Sequence, residues 1–348
     1  GVVISAPAVV LSVVFGWNLT LTCLAIGLPT ALYTMYGGVQ AVTWTDVKQM
    51  FLIVGGLVAA VVSLVVGLPK DVGLGDALHI AGATGKLNTF DFTFSLTDPY
   101  TFWSGTIAAL FLFLSYFGTD QSQVQRYLTA KSIDEARSSL LMSAYWKIPL
   151  QALVLLVGVL LFVFYLFSPT PLLFNKVEAA KVRSSASAPD LGQLEQRYDA
   201  ARAVRAEAAR AFSEARRSGD EAAVAAQAQA FRAADAELKA VRGEATALVS
   251  RVTGQRYNDV NYVFPTFITT YMPVGVVGLL LAAIFAAAMS SIAAELNSLS
   301  TATVIDFYRR FAKTEASDAH YLAVSKGATG FWGAFACTVA IYAAELGS

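Results

Sequence analysis

The sequence predicts an all-α membrane protein that carries an inserted helical hairpin. Three observations lead there. The 348 residues are 56 % hydrophobic and only 14 % charged, against about 25 % charged in an average soluble domain. Several apolar runs reach the roughly 20 residues that a helix needs to cross a hydrocarbon core of about 30 Å. The charges are also unevenly placed, with 26 of the 50 lying between Lys176 and Asp259. This pattern argues against a soluble enzyme. With 25 basic and 25 acidic residues the chain has no net charge, so no global field points to nucleic acid, and the expected surroundings are a lipid bilayer.

Taken in order, Val2–Phe15 reads as the tail of one span and Asn18–Tyr36 as a second. Asp46–Leu68 is a third, and Gly67-Leu68-Pro69 closes it. Phe102–Tyr127 is a fourth, interrupted by the polar run from Ser115 to Gln121. Ala136–Phe167, Pro273–Phe307 and Tyr321–Ala344 complete a set of six whole spans and a partial one. A chain that starts at Gly1 inside an apolar run, with no basic leader, reads as a fragment rather than as a signal peptide. Arg126, Lys131 and Arg137 after the fourth span, and Arg309, Arg310, Lys313 and Lys326 after the sixth, put those loops on the cytoplasmic side. The loop from Lys70 to Pro99 has two lysines against four aspartates and falls on the opposite side with the insert.

The insert itself reads as two helices. Pro189-Asp190 gives a capped start, and Leu191, Leu194, Tyr198, Ala201, Val204, Ala208 and Phe212 (or Ala211) recur at spacings of three and four. Ser218-Gly219-Asp220 breaks the pattern, and Val224, Phe231, Ala234, Leu238, Val241, Ala245 and Leu248 resume it. Two helices of about 28 residues, some 40 Å long at 1.5 Å per residue, would pack antiparallel through a seam of small residues. A solvated strut is the plain role for such a hairpin, and docking of a protein partner is the specific one. The organisation expected is a transmembrane part over 1–168, an extracytoplasmic helical-hairpin insert over 169–259 and a second transmembrane part over 260–348.

Cys23 and Cys337 are more than 300 positions apart in apolar runs, which suits inert packing residues rather than a disulfide scaffold. With His79 and His320 the only histidines, a zinc centre or a serine triad lacks raw material. Polar groups inside apolar helices are therefore the candidates, since a central charge there costs about 2.5 to 3.5 kcal/mol.

Ala287, Ser290 and Ser291 are the first group. On a helix the carbonyl of one residue faces the side chains three and four positions on, so the Ala287 carbonyl and the two hydroxyls can converge on a small hard monovalent cation. Serines in membrane helices also simply bond back to carbonyls or pack as small residues. The second is the interrupted fourth span, where a break at Gly118 would free backbone groups that are tolerable only beside a cavity, as in discontinuous transporter helices. Alternatively Gly118–Gln121 is where that helix leaves the bilayer. Third come isolated charges: Asp46 at a helix start, Lys147 within the fifth span and Glu295 one turn below Ser291. A dipole partner, a snorkelling lysine and a paired acid are the bland readings of the three.

At these motifs the sequence resembles the sodium/solute symporter family, which includes sodium/glucose, proline, iodide and monocarboxylate cotransporters. Three blocks carry the resemblance: Ala31 to Asp46, Gly118-Thr119-Asp120-Gln121 with Val124 to Leu128 and Ala130-Lys131, and Pro273 to Asp306 with Ala288-Met289-Ser290-Ser291 and Asn297-Ser298. The resemblance implies a leucine-transporter-type inverted-repeat bundle, here partial. It makes 1–168 core helices three to seven and 260–348 core helices eight and nine. It implies Na+ as the coupling ion, with Ala287, Ser290 and Ser291 matching one half of a sodium site and the half on the first core helix absent from this chain. Asp46 matches an aspartate near the cation path, and Glu295, which is outside the sugar-branch pattern, could add a ligand there. Tyr116 matches an inner-gate tyrosine. Lys147 falls at a substrate-contacting lysine, and Phe113 stands where sugar carriers place an Asn or Thr. Phe117 is grouped with these as a substrate or gate residue. Ala293 in place of a hydroxyl residue implies one sodium per turnover.

The expectation is a multi-pass protein of a bacterial inner membrane that imports a small organic solute with sodium by alternating access. Sugar, sialic acid and monocarboxylate-like solutes are all consistent with it. No catalytic residue and no metal beyond sodium is expected. A solute sensor that signals through the hairpin is the alternative.

Overall fold

A computed structural model describes residues 2–88, 90–95, 97–98 and 101–346. Twelve α-helices account for nearly all of the described chain, and no strand occurs among the described residues. They form two compact units. One comprises residues 1–57, 90–151 and 273–348, and the other 58–89 and 152–272.

The first unit holds α1 (Val2–Phe15), most of α2 (Leu19–Val66), α4 (Phe102–Gly118), α5 (Gln121–Leu128), the first half of α6 (Ile133–Phe167), α11 (Val274–Ala302) and α12 (Asp318–Leu346). Its core draws Ile4, Ala8 and Leu11 from α1, Cys23 and Ile26 from α2, Leu281, Ile292 and Leu296 from α11, and Cys337 and Ala340 from α12. Helix backbones come close here because the contact residues are small. A Cβ at Gly333 would lie 2.5 Å from that of Ala31, and one at Gly27 would overlap the Cys337 sulfur. Both cysteines are buried and unbonded, as packing residues should be.

Several expected boundaries move. The second and third spans are one continuous run with an internal break at Gly38, at φ 53° and ψ −151°. Residues 39–45, which lie between the two expected spans, are helical, so Asp46 lies inside a helix rather than at its start. A glycine lacking Cβ supplies the break without any loop residues, which a reading of apolar run lengths does not register. The interrupted fourth span is two helices, α4 and α5, meeting at 51°. Asp120 caps α5 by accepting from the Ser122 amide at 2.9 Å. α11 changes to a π-helical turn over Thr303–Ala312 before the chain reverses into α12.

Three helices among the described residues are long and apolar enough to cross a membrane, Leu19–Val66, Ile133–Phe167 and Val274–Ala312, or four with the bent α4 and α5 pair. That is fewer than the six whole spans expected, partly because the first of them is two helices in one. α12 is long enough at 29 residues, but Asp318, His320, Ser325 and Lys326 make its first half polar. α4 buries no residue at all within the chain. Its Phe111, Leu112 and Leu114 stand 61 to 68 % exposed, as a lipid-facing or partner-facing helix would.

The second unit holds α3 (Leu74–Ala83), the ends of α2 and α6, α7 (Lys176–Arg183), the hairpin α8 (Ala188–Ser218) and α9 (Glu221–Thr253), and α10 (Val260–Tyr271). It thus extends beyond 169–259 to the helix ends from which the insert leaves and to which it returns. Phe164 packs edge-on against Phe267 and Tyr271, with ring centroids 4.9 Å apart in both pairs. The hairpin turns at Ser218-Gly219-Asp220, as its sequence implies: Gly219 is left-handed at φ 75°, and the Asp220 carboxylate accepts from the amides of Ala222 and Ala223. The helices run to 31 and 33 residues.

Leu191, Leu194 and Tyr198 face Leu238, Val241, Ala245 and Leu248 across the seam. Two seam positions differ from expectation. Val204 is 59 % exposed, while Arg205 and Asp235 are buried where Val204 and Ala234 were expected. An apolar count favours valine over arginine, but the stripe set by Tyr198 and Phe212 passes through Arg205. The Arg205 charge is tolerated there because Asp235 lies at 2.8 Å and its guanidinium stacks on Phe162. Burial still pulls the Arg205 pKa below the ordinary arginine range, against the opposing pull of Asp235.

Candidate functional site

The site is assembled from α2, α5 and α11. Eight residues past the break at Gly38, Asp46 projects a half-buried carboxylate. Ser290 of α11 donates to it at 2.6 Å. Arg126 of the short α5 pairs with its other oxygen at 2.9 Å. Arg126 is thus a partner of Asp46 on a helix, where the sequence suggested a loop charge that orients the chain in the membrane. The bend between α4 and α5 is what turns Arg126 toward Asp46.

Two further bonds fix α5 and α2 on α11. The Asn297 amide donates to the buried Gln125 side chain at 2.7 Å. Tyr33 donates its hydroxyl to the Met289 carbonyl at 3.1 Å. Sequence reasoning did not single out Gln125, Asn297, Arg126 or Tyr33 as a clasp. All four lie within the motif blocks that carry the family resemblance, which was the available signal.

Ser291 donates to the Ala287 carbonyl at 3.2 Å. This bond to the fourth preceding residue is long, and it places the Ser291 hydroxyl against the carbonyl with which it was expected to converge. Ser290 turns its proton to Asp46 instead. Ser290 and Ser291 are consecutive on α11, so their hydroxyls and the Ala287 carbonyl are the hard oxygen atoms that this turn of α11 supplies. Glu295, one turn further along α11, is exposed and makes no ion pair among the described residues.

A second group lies on α4 and α6. The Lys147 ammonium sits 5.2 Å from the Tyr116 ring centroid and 4.9 Å from that of Phe117, within the range of a cation-π contact. Phe117 in turn meets Tyr116 and Phe113, with centroids 5.0 and 5.9 Å apart. The four residues expected at the solute contact and gate, Phe113, Tyr116, Phe117 and Lys147, are therefore brought together. The charge of Lys147 is met by aromatic faces rather than by an acid.

The family model for the sodium:solute symporter family matches residues 2–194 and 237–347. The chain belongs to the sodium:solute symporter family. The unmatched part, 195–236, covers most of α8 and the start of α9, so the family pattern stops and resumes across the hairpin.

Among relatives, the human sodium/iodide cotransporter is 33 % identical over 181 residues, covering 51 % of this chain and 27 % of its own length. The rabbit sodium-dependent multivitamin transporter is 34 % identical over 172 residues, with 47 % and 26 % covered. The human sodium-coupled monocarboxylate transporter 1 is 37 % identical over 140 residues, with 40 % and 22 % covered. The chain spans about a quarter of the length of these relatives. A solved Na+-coupled sialic acid symporter, in a substrate-bound outward-open state, superposes with a TM-score of 0.65 at 23 % identity, covering 97 % of this chain and 54 % of that one. This likeness assigns the fold, part of a leucine-transporter-type helical bundle. Family membership makes the chain a multi-pass membrane protein of a transporter family rather than an enzyme.

Proposed function

We propose that this chain is the ion-coupling part of a sodium-coupled symporter that imports a small organic solute by alternating access. The observation that carries the reading is the joint between Asp46, Ser290 and Arg126, next to Ala287 and Ser291. It supplies hydroxyl, carbonyl and carboxylate oxygens, the ligand type that suits a hard cation. It also ties three helices, so an ion there would change their relative stability.

In this mechanism sodium is a co-substrate. The Ser290 and Ser291 hydroxyls and the Ala287 carbonyl hold it, while Arg126 pairs with Asp46 and keeps its carboxylate in place. Asp46 orients Ser290 by accepting its hydrogen bond. Inward sodium movement contributes about 2.3 kcal/mol per 100 mV through the membrane potential, plus its concentration gradient. Glu295, exposed below Ser291, guides the cation on its path. Lys147, held over Tyr116 and Phe117, meets the solute, and Phe113 makes that contact apolar where a hydroxyl-rich sugar would need a hydrogen-bond partner. A monocarboxylate-like or other carboxylate-bearing solute therefore suits the group better than plain hexose. We assign the activity to a bacterial inner membrane, and to the hairpin the role of a solvated strut.

The test is sodium-dependent uptake by the full-length protein in proteoliposomes. A charge-assisted hydrogen bond or ion ligand is worth about 1.5 to 3 kcal/mol, so Ser290→Ala should raise the sodium concentration for half-maximal uptake by roughly 10- to 150-fold. Unchanged sodium dependence in the Ser290→Ala, Ser291→Ala double variant would overturn the assignment.

A further inference from the structure

The second unit contains a cavity that the transport reading does not use. It has a volume of about 670 Å³ and lies at the base of the hairpin, between the end of α6, the α7 turn, α8 and α10. That volume falls within the range of roughly 300 to 1,000 Å³ typical of small-molecule sites. Its lining includes the apolar and aromatic side chains of Tyr165, Leu172, Phe174 and Tyr271. It also includes the charged Lys176, Arg183, Glu195, Asp199 and Arg202.

The charges that line the cavity do not cancel. Arg183 is spent on Glu195 at 2.6 Å. Asp199 lies 3.7 Å from the Arg202 Nε, beyond a hydrogen bond, with its side chain 69 % exposed. The Arg202 Nε is buried with no hydrogen-bond partner, and its Nη1 makes only a 3.4 Å bond to the Ser168 carbonyl. Lys176, exposed at the first turn of α7, has no ion pair among the described residues. The cavity is thus lined by a guanidinium whose terminal nitrogens make only that one long bond and by an ammonium without an ion pair, together with apolar and aromatic side chains. The Tyr165 and Tyr271 hydroxyls are already engaged, on the Val263 carbonyl at 3.1 Å and the Pro169 carbonyl at 2.6 Å.

From this arrangement we infer that the base of the hairpin is a binding site for an organic monocarboxylate, with Arg202 and Lys176 taking the carboxylate and the Phe174 and Tyr271 rings taking the apolar body. A carboxylate suits the cavity better than a neutral polyol, because the two cations Arg202 and Lys176 line it without a hydrogen bond to an acid among the described residues. The site goes beyond the sodium-coupling reading and does not depend on it. Every one of its residues belongs to the second unit.

The test uses the purified full chain in lipid nanodiscs, with sodium replaced by choline so that failure of the sodium reading leaves the outcome untouched. The probe is 4-fluorobenzoate, followed by its fluorine NMR line width. Saturable broadening is expected, reversed by benzoate and not by benzyl alcohol, its neutral counterpart. Arg202→Gln should weaken binding tenfold or more, Arg202→Lys less, and Lys176→Gln at least threefold. If Arg202→Gln fails to fold, the exposed Lys176→Gln decides. Equal competition by benzyl alcohol, or wild-type affinity in Lys176→Gln and in a folded Arg202→Gln, would overturn the inference.

Discussion

Asp259 holds the neck of the insert closed, and its removal should open that neck selectively. The carboxylate is buried, with its side chain 4 % exposed. It accepts from the Phe174 amide on the segment entering the insert at 2.8 Å, from Arg242 of α9 at 2.8 Å, and from the Tyr257 hydroxyl on the exit at 3.1 Å. Arg242 also lies over the Phe174 ring, 5.1 Å from its centroid. Breaking a fully buried ion pair from one side costs about 3 to 5 kcal/mol. The Arg242 side chain retains 30 % exposure, so water recovers part of that loss. The stranded Phe174 amide adds about 1 to 3 kcal/mol.

A net cost near 3 kcal/mol for Asp259→Ala is therefore expected, roughly a 150-fold loss of protection in local opening. Hydrogen exchange measured by mass spectrometry on the full chain reads this directly. Peptides over 170–183 and 254–262 should lose protection while the turn around Gly219 does not change. Asp259→Asn, which keeps an acceptor for Phe174 but loses the charge, should fall between wild type and Asp259→Ala. A change below threefold at the neck in Asp259→Ala would refute the reasoning.

The break in α2 gives a second prediction: Gly38 sits in a backbone region open essentially only to glycine, so Gly38→Ala should cost about 1 to 3 kcal/mol. Gly55→Ala, at a helical position with open space around it, should be neutral or stabilising by up to about 1 kcal/mol; comparing melting temperatures of the two tests whether the backbone or the added methyl matters. Alkaline pH supplies a third. Burial, reinforced by the Asp259 carboxylate beside it, raises the Tyr257 hydroxyl pKa above the ordinary tyrosine range. A raised folded-state value means that this contribution is complete below the unfolded pKa of about 10 and is lost as pH climbs from there toward the folded value. The melting temperature of wild type should therefore fall more steeply between about pH 9 and 11 than that of Tyr257→Phe, and parallel curves would count against it.

Much of this was legible in the residues. The hairpin turn at Ser218-Gly219-Asp220 was readable because a left-handed glycine and a capping aspartate act locally. The break after Gly118 was readable because a polar run interrupts an apolar one. The apolar run ends at Tyr36, two residues before Gly38, but a torsion at a single glycine leaves no mark in the sequence that distinguishes it from a turn of several residues. Val204 was misplaced because apolar counting cannot see that Asp235 and Phe162 make room for Arg205. Lys147 was expected to need a partner, and aromatic faces from α4 supply it where an acid would be the usual choice.

By itself, the sequence determined that the chain is helical, lies in a membrane and carries a charged hairpin, since run length, charge density and capping residues act over a few turns. It also set out the oxygen-bearing residues of α11 and the family blocks to which they belong. Only the tertiary structure decided which groups meet: that Arg126 and Ser290 share Asp46, that Gln125 engages Asn297, and that Asp259 draws Phe174, Arg242 and Tyr257 together. Those pairings join residues up to 244 positions apart. They depend on helix directions, and the angles taken at Gly38 and between α4 and α5 are not encoded in composition and periodicity even where the break itself is.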